Sequence, residues 1–447
     1  MHTFDIEFTK DGEVFDSDQK KALFAGLDAT DLLVLSHGWN NDVQEATDLY
    51  DELLGNIDRL LGLRANPQAP ATLRSLEGRT FMACRVFWPS KKFADEDLIP
   101  GGGAASASTA NDAALERTLD SLAEEPERLG QGGTTPIRQA AVAEARALVP
   151  QLDADEGAQK QYVNILRSLV ETDDSPDDDG TSAFFGTDGA ELFQALKEPV
   201  VAPGPAPHGG AAVTAGGAAG ADQGGAAGLR DLIAGGHAAA RRLANYATYL
   251  RMKSRAGTVG TKGLGPLLRD VRQEHSDIRL HLVGHSFGGR LVTAAANALD
   301  DDTPYITLSL LQAAFSHNGL SADFGEGKPG AFHAVVGKRR ASGPIIITHT
   351  KKDRAVGVAY PLASRITFQN AAALGDKDDP YGGMGRNGAQ RTKEATGNET
   401  KLAAVGHGYA FQAGKVYNLL ADDFISHHGD VKNIQVAYAI LSAVAAG

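Results

Sequence analysis

Short, nearly uninterrupted apolar runs recur along this chain, a pattern typical of strands that are buried on both faces of a parallel sheet. A run at 4–8 alternates apolar and polar residues instead and predicts a half-exposed first strand. Strands that alternate with helices predict an α/β fold, with a mostly parallel sheet covered by helices on both faces. The apolar runs lie at 32–35, 80–88, 278–283, 305–311, 344–349 and 415–420. Helical spacing of apolar residues occurs at 43–61, 241–253, 264–273, 291–298 and 431–441.

The pattern changes between positions 91 and 236. Positions 199–228 contain mostly Pro, Gly and Ala, which is typical of a flexible linker. We therefore predict a discontinuous core, 1–90 and 237–447, and a helical insertion at 91–236. Four amphipathic segments predict the helices of this insertion, around 115–122, 136–148, 162–170 and 192–196.

Composition narrows the classes of function. The chain has 447 residues and a formal net charge of -13, without a basic stripe, which argues against a nucleic-acid partner. The single cysteine, Cys84, lies in an apolar run and predicts a buried structural thiol in a reducing compartment. The first ten residues contain acids and lack the apolar centre of a signal peptide, and no segment is apolar enough to span a membrane. We expect a cytoplasmic protein, with export by a route without a cleaved signal left open.

One stretch carries the strongest chemical signal. Gly284-His285-Ser286-Phe287-Gly288 stands between the apolar run 278–283 and the helical segment 291–298. Strand, tight turn and helix are the context in which G-x-S-x-G forms a nucleophile elbow, with Ser286 at its apex. Gly284 and Gly288 leave room where the helix crosses close to the strand. The helix N-terminus directs free N–H groups towards the charge that develops near Ser286.

These motifs resemble those of the α/β-hydrolase superfamily, in which the nucleophile, the acid and the histidine follow one another along the chain. Here Ser286 is followed by Asp353 and then by two late histidines. His37-Gly38-Trp39-Asn40-Asn41 and Phe87-Trp88-Pro89, each after an apolar run, are similar to a bacterial subgroup with few characterised members. The resemblance covers about 1–90 and 237–447 and leaves the insertion unmatched. It implies an α/β-hydrolase fold with a Ser-Asp-His triad.

The resemblance also implies a role for each candidate residue. Asp353 would orient the base, with Asp323 and Asp422 as weaker rivals. The base is His428 or His427, and His428 is favoured because His-Gly-Asp-Val looks more like the histidine turn of the superfamily. Phe287 and Trp39 would supply the backbone N–H groups of the oxyanion hole, and Gly38 would permit the turn that aims the second of them.

The remaining polar residues have plainer interpretations. His285 is expected to pack or to hydrogen-bond near the site, and His407 to lie at the surface. A metal site at His427, His428 and Asp430 is disfavoured, because neighbouring histidines rarely reach one ion and the chain has no H-E-x-x-H and no cysteine pair. The glycine-rich elbow lacks the G-K-[ST] ending of a phosphate loop, so no cofactor is expected.

Two classes of function remain. The first is a serine hydrolase that cleaves a carboxylic ester or thioester, of a small molecule or a lipid, through an acyl-enzyme on Ser286. Acyl transfer and peptide cleavage by the same triad stay open. The second class is a non-catalytic binding scaffold, which the ordered set Ser286, Asp353 and His428 disfavours. The insertion at 91–236 is interpreted equally as a lid over the substrate and as a surface for a protein partner.

Overall fold

A sheet of eight parallel strands runs through the residues that the computed structural model describes, which are 1–39, 41–90, 107–171, 179–197, 235–353, 377–396 and 400–447. The strand order is β1-β3-β2-β4-β5-β6-β8-β7, and every pairing between these strands is parallel. The α/β class is therefore confirmed. The strands are β1 (His2–Glu7), β2 (Asp31–Ser36), β3 (Phe81–Phe87), β4 (Arg279–His285), β5 (Ile306–Leu311), β6 (Ile345–His349), β7 (Thr400–Lys401) and β8 (Val416–Leu420).

Helices flank this sheet, as the alternating pattern predicts. The first eight are α1 (Ser17–Gly26), α2 (Val43–Leu61), α3 (Ala71–Arg74), α4 (Ala107–Ala123), α5 (Pro136–Leu148), α6 (Glu156–Ser168), α7 (Thr181–Gly186) and α8 (Gly189–Ala195). The others are α9 (Gly236–Thr258), α10 (Gly265–Glu274), α11 (Phe287–Asn297), α12 (His333–Gly337), α13 (Met384–Asn387) and α14 (Ile434–Ala446).

Alternation along β2 shows how the two faces are covered. Leu32 and Val34 point into an apolar cluster that contains the buried residues of α9 and α11. Leu33 and Leu35 point into a second cluster, which contains the buried residues of α2 and α14. Because successive side chains of a strand point to opposite faces, an uninterrupted apolar run is required to fill both clusters.

A reciprocal cap starts α2. The Asp42 side chain accepts a hydrogen bond from the Glu45 N–H at 2.8 Å, and the Glu45 carboxylate accepts one from the Asp42 N–H at 2.9 Å. From the sequence alone, Asn41 with Gln44 three residues on is the predicted cap, and that prediction is wrong by one residue. Two carboxylates at the N-terminus satisfy free N–H groups and suit the positive end of the helix dipole, which an Asn–Gln pair does less well.

The four helical segments predicted within 91–236 form α4, α5, α6 and α8, while α7 was not predicted. The predicted linker at 199–228 lies outside the described residues. The buried side chains of these helices belong to the same apolar cluster as one face of the sheet. Leu119 on α4 and Tyr162 on α6 share that cluster with Val86 on β3 and Phe287 on α11. The division of the chain into a core and an insertion stays a prediction.

The helices predicted at 241–253 and 264–273 are joined, because a π-helical turn at Val259–Leu264 connects α9 to α10. Glycines permit this turn to lie close to its neighbours. A Cβ on Gly260 would lie 2.3 Å from the Leu291 carbonyl oxygen, and one on Gly263 would lie 2.5 Å from that of Gly12. The turn thus seats α9 against α11, the helix that begins after Ser286.

A buried ion cluster holds the edge of the sheet where the strands begin. The Asp31 carboxylate accepts hydrogen bonds from Arg79 Nε at 2.9 Å and from His281 Nε2 at 2.7 Å. Burial alone would raise the pKa of Asp31, but the bonds from Arg79, His281 and Thr30 outweigh it and hold that pKa well below its usual range. The candidate residues lie at the opposite edge, where the strands end.

Candidate active site

Ser286 stands in a strained turn between β4 and α11. Its backbone has φ 55° and ψ -125°, a conformation that L-residues rarely adopt. Hydrogen bonds to the segment after β5 fix both sides of this residue: its N–H donates to the Leu311 carbonyl at 3.0 Å, and its carbonyl accepts from the Ala314 N–H at 3.0 Å. The side chain is 4% exposed. A serine between a strand and a helix in such a turn is the arrangement that the G-x-S-x-G motif predicted.

Both elbow glycines lie where a side chain has no space. A Cβ on Gly284 would lie 2.3 Å from the Gly288 carbonyl oxygen. A Cβ on Gly288 would lie 2.2 Å from the Ser36 carbonyl oxygen and 2.4 Å from that of His37. The first glycine lets α11 return close to β4, and the second lets α11 approach the end of β2.

Asp353 and His428 meet at the same edge of the sheet. The Nδ1 atom of His428 lies 2.7 Å from Oδ2 of Asp353. Asp353 follows β6 and has no exposed side-chain surface, whereas the His428 side chain is 22% exposed. A buried carboxylate at Nδ1 selects the tautomer in which Nε2 carries the lone pair.

The other candidate histidine and the two rival acids have different partners. His427 Nδ1 lies 2.9 Å from the Ser426 hydroxyl, so His428 is the one of the two that the structure brings to Asp353. Asp422 accepts a hydrogen bond from the Thr350 hydroxyl at 2.5 Å, at the start of the turn that carries Asp353. Asp323 accepts from two backbone N–H groups in its own exposed turn, at 325 and 327.

His37 anchors the loop after β2. Its carbonyl accepts a hydrogen bond from Trp88 Nε1 at 3.0 Å, and its ring stacks on the Trp88 ring with centroids 5.6 Å apart. The Tyr50 hydroxyl accepts from the His37 N–H at 2.7 Å. Burial lowers the pKa of His37 to about 4, so its ring stays neutral. These contacts hold the loop after β2 against the end of β3.

The predicted oxyanion donors belong to the start of α11 and to the loop after β2. Phe287 is the first residue of α11, so its N–H belongs to the free donors of that helix end. The Trp39 ring lies 5.8 Å from the Phe287 ring. A Cβ on Gly38 would lie 2.6 Å from the Ser286 Cβ, which shows how closely the loop after β2 approaches the serine.

His285 connects the elbow to the loop that carries His428. Its Nε2 donates a hydrogen bond to the His428 carbonyl at 2.9 Å, and the two rings lie 4.9 Å apart. Burial is the largest of the effects that lower the pKa of His285 to about 3, so this ring is a neutral donor at physiological pH. The sequence predicted that His285 packs or hydrogen-bonds near the site but did not identify its partner, which in the structure is His428.

Besides His428, the residues considered for a metal site and the single cysteine lie in surroundings that suit a structural role. Among the described residues, no three His, Cys, Asp or Glu side chains are grouped to hold a metal ion. His427 and Asp430 both contact the Ser426 hydroxyl, at 2.9 Å and 2.8 Å. Burial raises the pKa of Cys84 to about 12, so its thiol is a poor nucleophile.

No helix in the described ranges combines the length and the apolar character needed to cross a bilayer.

Comparisons with models of protein families, with curated proteins and with solved structures found no match for this chain. The site therefore has to be interpreted from its own geometry.

Sequence patterns missed one residue of this region, Gln312, whose amide lies beside Asp353. No sequence motif marks it, because its role depends on a backbone turn that appears only in the folded chain.

Buried neutral histidines predict a stability that falls in acid. Burial lowers the pKa of His37 to about 4 and, as the largest of several effects, that of His285 and of His317 to about 3. Their unfolded pKa is about 6.5, so they stabilise the fold fully above that pH and lose this contribution as the pH falls towards 3–4. We expect the unfolding temperature, measured by calorimetry, to fall by about 10 °C between pH 7 and pH 4.5.

Two variants check the origin of this slope. His317→Asn removes one buried group and is expected to make the fall shallower by about a third. The exposed His2, changed to Asn in the same way, is expected to leave the slope unchanged. Equal slopes in the wild type and in His317→Asn would contradict the assignment.

Proposed function

We propose that this chain is a serine hydrolase of the α/β-hydrolase fold, which cleaves a carboxylic ester or thioester through an acyl-enzyme on Ser286. The observation that carries the proposal is the combination of a strained serine at φ 55° with a hydrogen-bonded Asp–His pair, its carboxylate buried, after later strands of the same sheet. Strain of this kind persists where the surrounding structure enforces it, and it clusters at functional sites.

In the proposed reaction, Ser286 Oγ attacks the carbonyl carbon while His428 Nε2 takes the hydroxyl proton. Asp353 holds the Nδ1–H of His428 and stabilises the imidazolium that forms. The N–H groups of Phe287 and Trp39 donate to the oxyanion. His428 then protonates the leaving alkoxide or thiolate, and the acyl group stays on Ser286. Water, activated by His428, attacks the acyl-enzyme and releases the acid.

The surroundings of the triad support this division of roles. The carboxylate of Asp353 is wholly buried, so its interaction with His428 is little screened by water. Ser286 immediately precedes α11, a helix of eleven residues whose positive end favours a developing negative charge. Hydrolysis, acyl transfer and peptide cleavage all use such a triad. Analysis of the products formed with water and with added alcohol or amine acceptors would distinguish these three reactions.

A fluorophosphonate probe tests the proposal. We expect it to label the wild-type protein on Ser286, found by peptide mapping, and to leave Ser286→Ala unlabelled. Ser309→Ala is a matched control, because Ser309 is equally buried in the neighbouring strand β5 and has no role in the proposed reaction. Labelling at another serine, or none in a folded wild type, would overturn the proposal and favour the binding scaffold.

A further inference from the structure

Gln312 stands in a second strained turn, beside the elbow. It follows β5, has φ 47° and has no exposed surface. A glutamine gains nothing locally from this backbone conformation, so contacts with the rest of the fold must enforce it. One such contact is with Gly385, where an added Cβ would lie 2.5 Å from the Gln312 carbonyl carbon.

The backbone around Gln312 holds the nucleophile. The residue before it, Leu311, accepts the hydrogen bond from the Ser286 N–H, and Ala314 donates the one to the Ser286 carbonyl. The chain therefore bends at Gln312 in order to contact both sides of the serine. Two residues with positive φ, Ser286 and Gln312, are thus linked through the hydrogen bonds that Leu311 and Ala314 make to Ser286.

The side chain of Gln312 holds the acid. With its amide oriented to donate, its nitrogen lies 3.1 Å from Asp353 Oδ2 and 2.6 Å from the Gly385 carbonyl oxygen. The reverse orientation would set the amide oxygen against two acceptors, which fixes the choice. The same Oδ2 atom is the one that faces His428 Nδ1 at 2.7 Å. The Gly385 carbonyl also accepts from the Thr350 N–H at 3.0 Å, within the turn that carries Asp353.

We propose that Gln312 is a positioning residue for the triad: the turn at Gln312 places Leu311 and Ala314 against Ser286, while its amide holds the Asp353 carboxylate in line with His428. This inference rests on the proposed function and deepens it. Gln312 touches no reacting atom and acts through Asp353. The chain of contacts runs from a neutral amide through a buried carboxylate to the imidazole of His428.

The amide shares the negative charge of the carboxylate with the imidazole. Leucine has a similar volume but donates no hydrogen bond, so in Gln312→Leu the Asp353 carboxylate has one donor fewer and attracts the His428 proton more strongly. Within the described residues, the titratable groups recorded against His428 are Asp353 at Nδ1 and His285, which contacts its ring and its carbonyl, with His427 next along the chain. The Gln312→Leu variant changes none of these groups.

The test follows His428 in the full chain by NMR, with histidine labelled at the ring carbon and the resonance assigned from its absence in His428→Asn. We expect the titration midpoint of His428 to rise by about half to one pH unit in Gln312→Leu. We also expect the rate of labelling by the fluorophosphonate to fall by about tenfold or more, because the base is less well aligned.

Gln159→Leu is the matched control. Gln159 is also buried, on α6, where its amide donates to the Leu152 carbonyl at 2.8 Å and accepts from Gln194 at 3.0 Å. We expect this variant to lose thermal stability as Gln312→Leu does, without any change at His428. A His428 midpoint that stays or falls in Gln312→Leu would overturn the inference. The NMR measurement does not depend on activity. A wild type that fails to label would contradict the proposed function, while the titration of His428 would still test the role of Gln312.

Discussion

Substitution of His428 by glutamine is expected to lower the kcat/KM of ester hydrolysis by about 10⁴-fold or more. Glutamine can still donate a hydrogen bond to Asp353, but it cannot accept the proton of Ser286. The loss should appear in kcat, with KM nearly unchanged, because the base acts in the transition state and contributes little to substrate binding. The measurement is steady-state hydrolysis of a short p-nitrophenyl ester at pH 8, together with the rate of fluorophosphonate labelling.

His427→Gln is the matched control for that loss. The two histidines are neighbours in one loop, but His427 contacts the Ser426 hydroxyl and His428 contacts Asp353. We expect His427→Gln to keep its activity within about threefold of the wild type, since surface changes of this kind cost little. If the loss followed His427 instead, the Asp353–His428 pair would be structural and the proposed mechanism would be wrong.

Substitution of Gly288 by alanine is expected to destabilise the fold by about 3 kcal/mol or more. The added methyl group would lie 2.2 Å from the Ser36 carbonyl oxygen, so α11 would have to move away from β2. Both atoms belong to backbone that is fixed in hydrogen-bonded elements, and neither can rotate away as a flexible side chain does. Chemical denaturation followed by circular dichroism measures the change in the free energy of unfolding.

Gly55→Ala gives the opposite expectation from the same chemical change. Gly55 lies within α2, and a Cβ there would have no neighbour within 4 Å. Alanine in an exposed helix position stabilises by up to about 1 kcal/mol relative to glycine. A Gly288→Ala protein as stable as the wild type would mean that the approach of α11 to β2 is looser than these distances indicate.

The strands were predictable because both faces of the sheet are covered. A strand such as β2, with all six residues buried, needs apolar side chains at nearly every position, and that run is visible in the sequence. Two elements were not predicted: the two-residue strand β7 and helix α1, which has only a weakly apolar face. Both are set by docking against neighbouring elements rather than by an apolar pattern of their own.

The candidate site was predictable only in part. Chain order and strand ends indicated Ser286 and Asp353, because residues after parallel strands meet at one edge. The choice between His427 and His428 depends on which ring turns towards Asp353, and a sequence motif only favours one of them. Gln312 could not be found at all, since a positive φ at a glutamine follows from tertiary contacts and not from the residue type.

The contact between His285 and His428 joins residues 143 positions apart, and that distance bears on the order in which the site forms. During synthesis the elbow leaves the ribosome well before the loop that carries the base. Until β8 has paired with β6, the serine has neither the imidazole nor the backbone carbonyl that His285 binds. Contacts of such long sequence separation form late in folding. Under the proposed function, the nascent chain therefore carries a serine without its base, and we expect fluorophosphonate reactivity only once the sheet is complete.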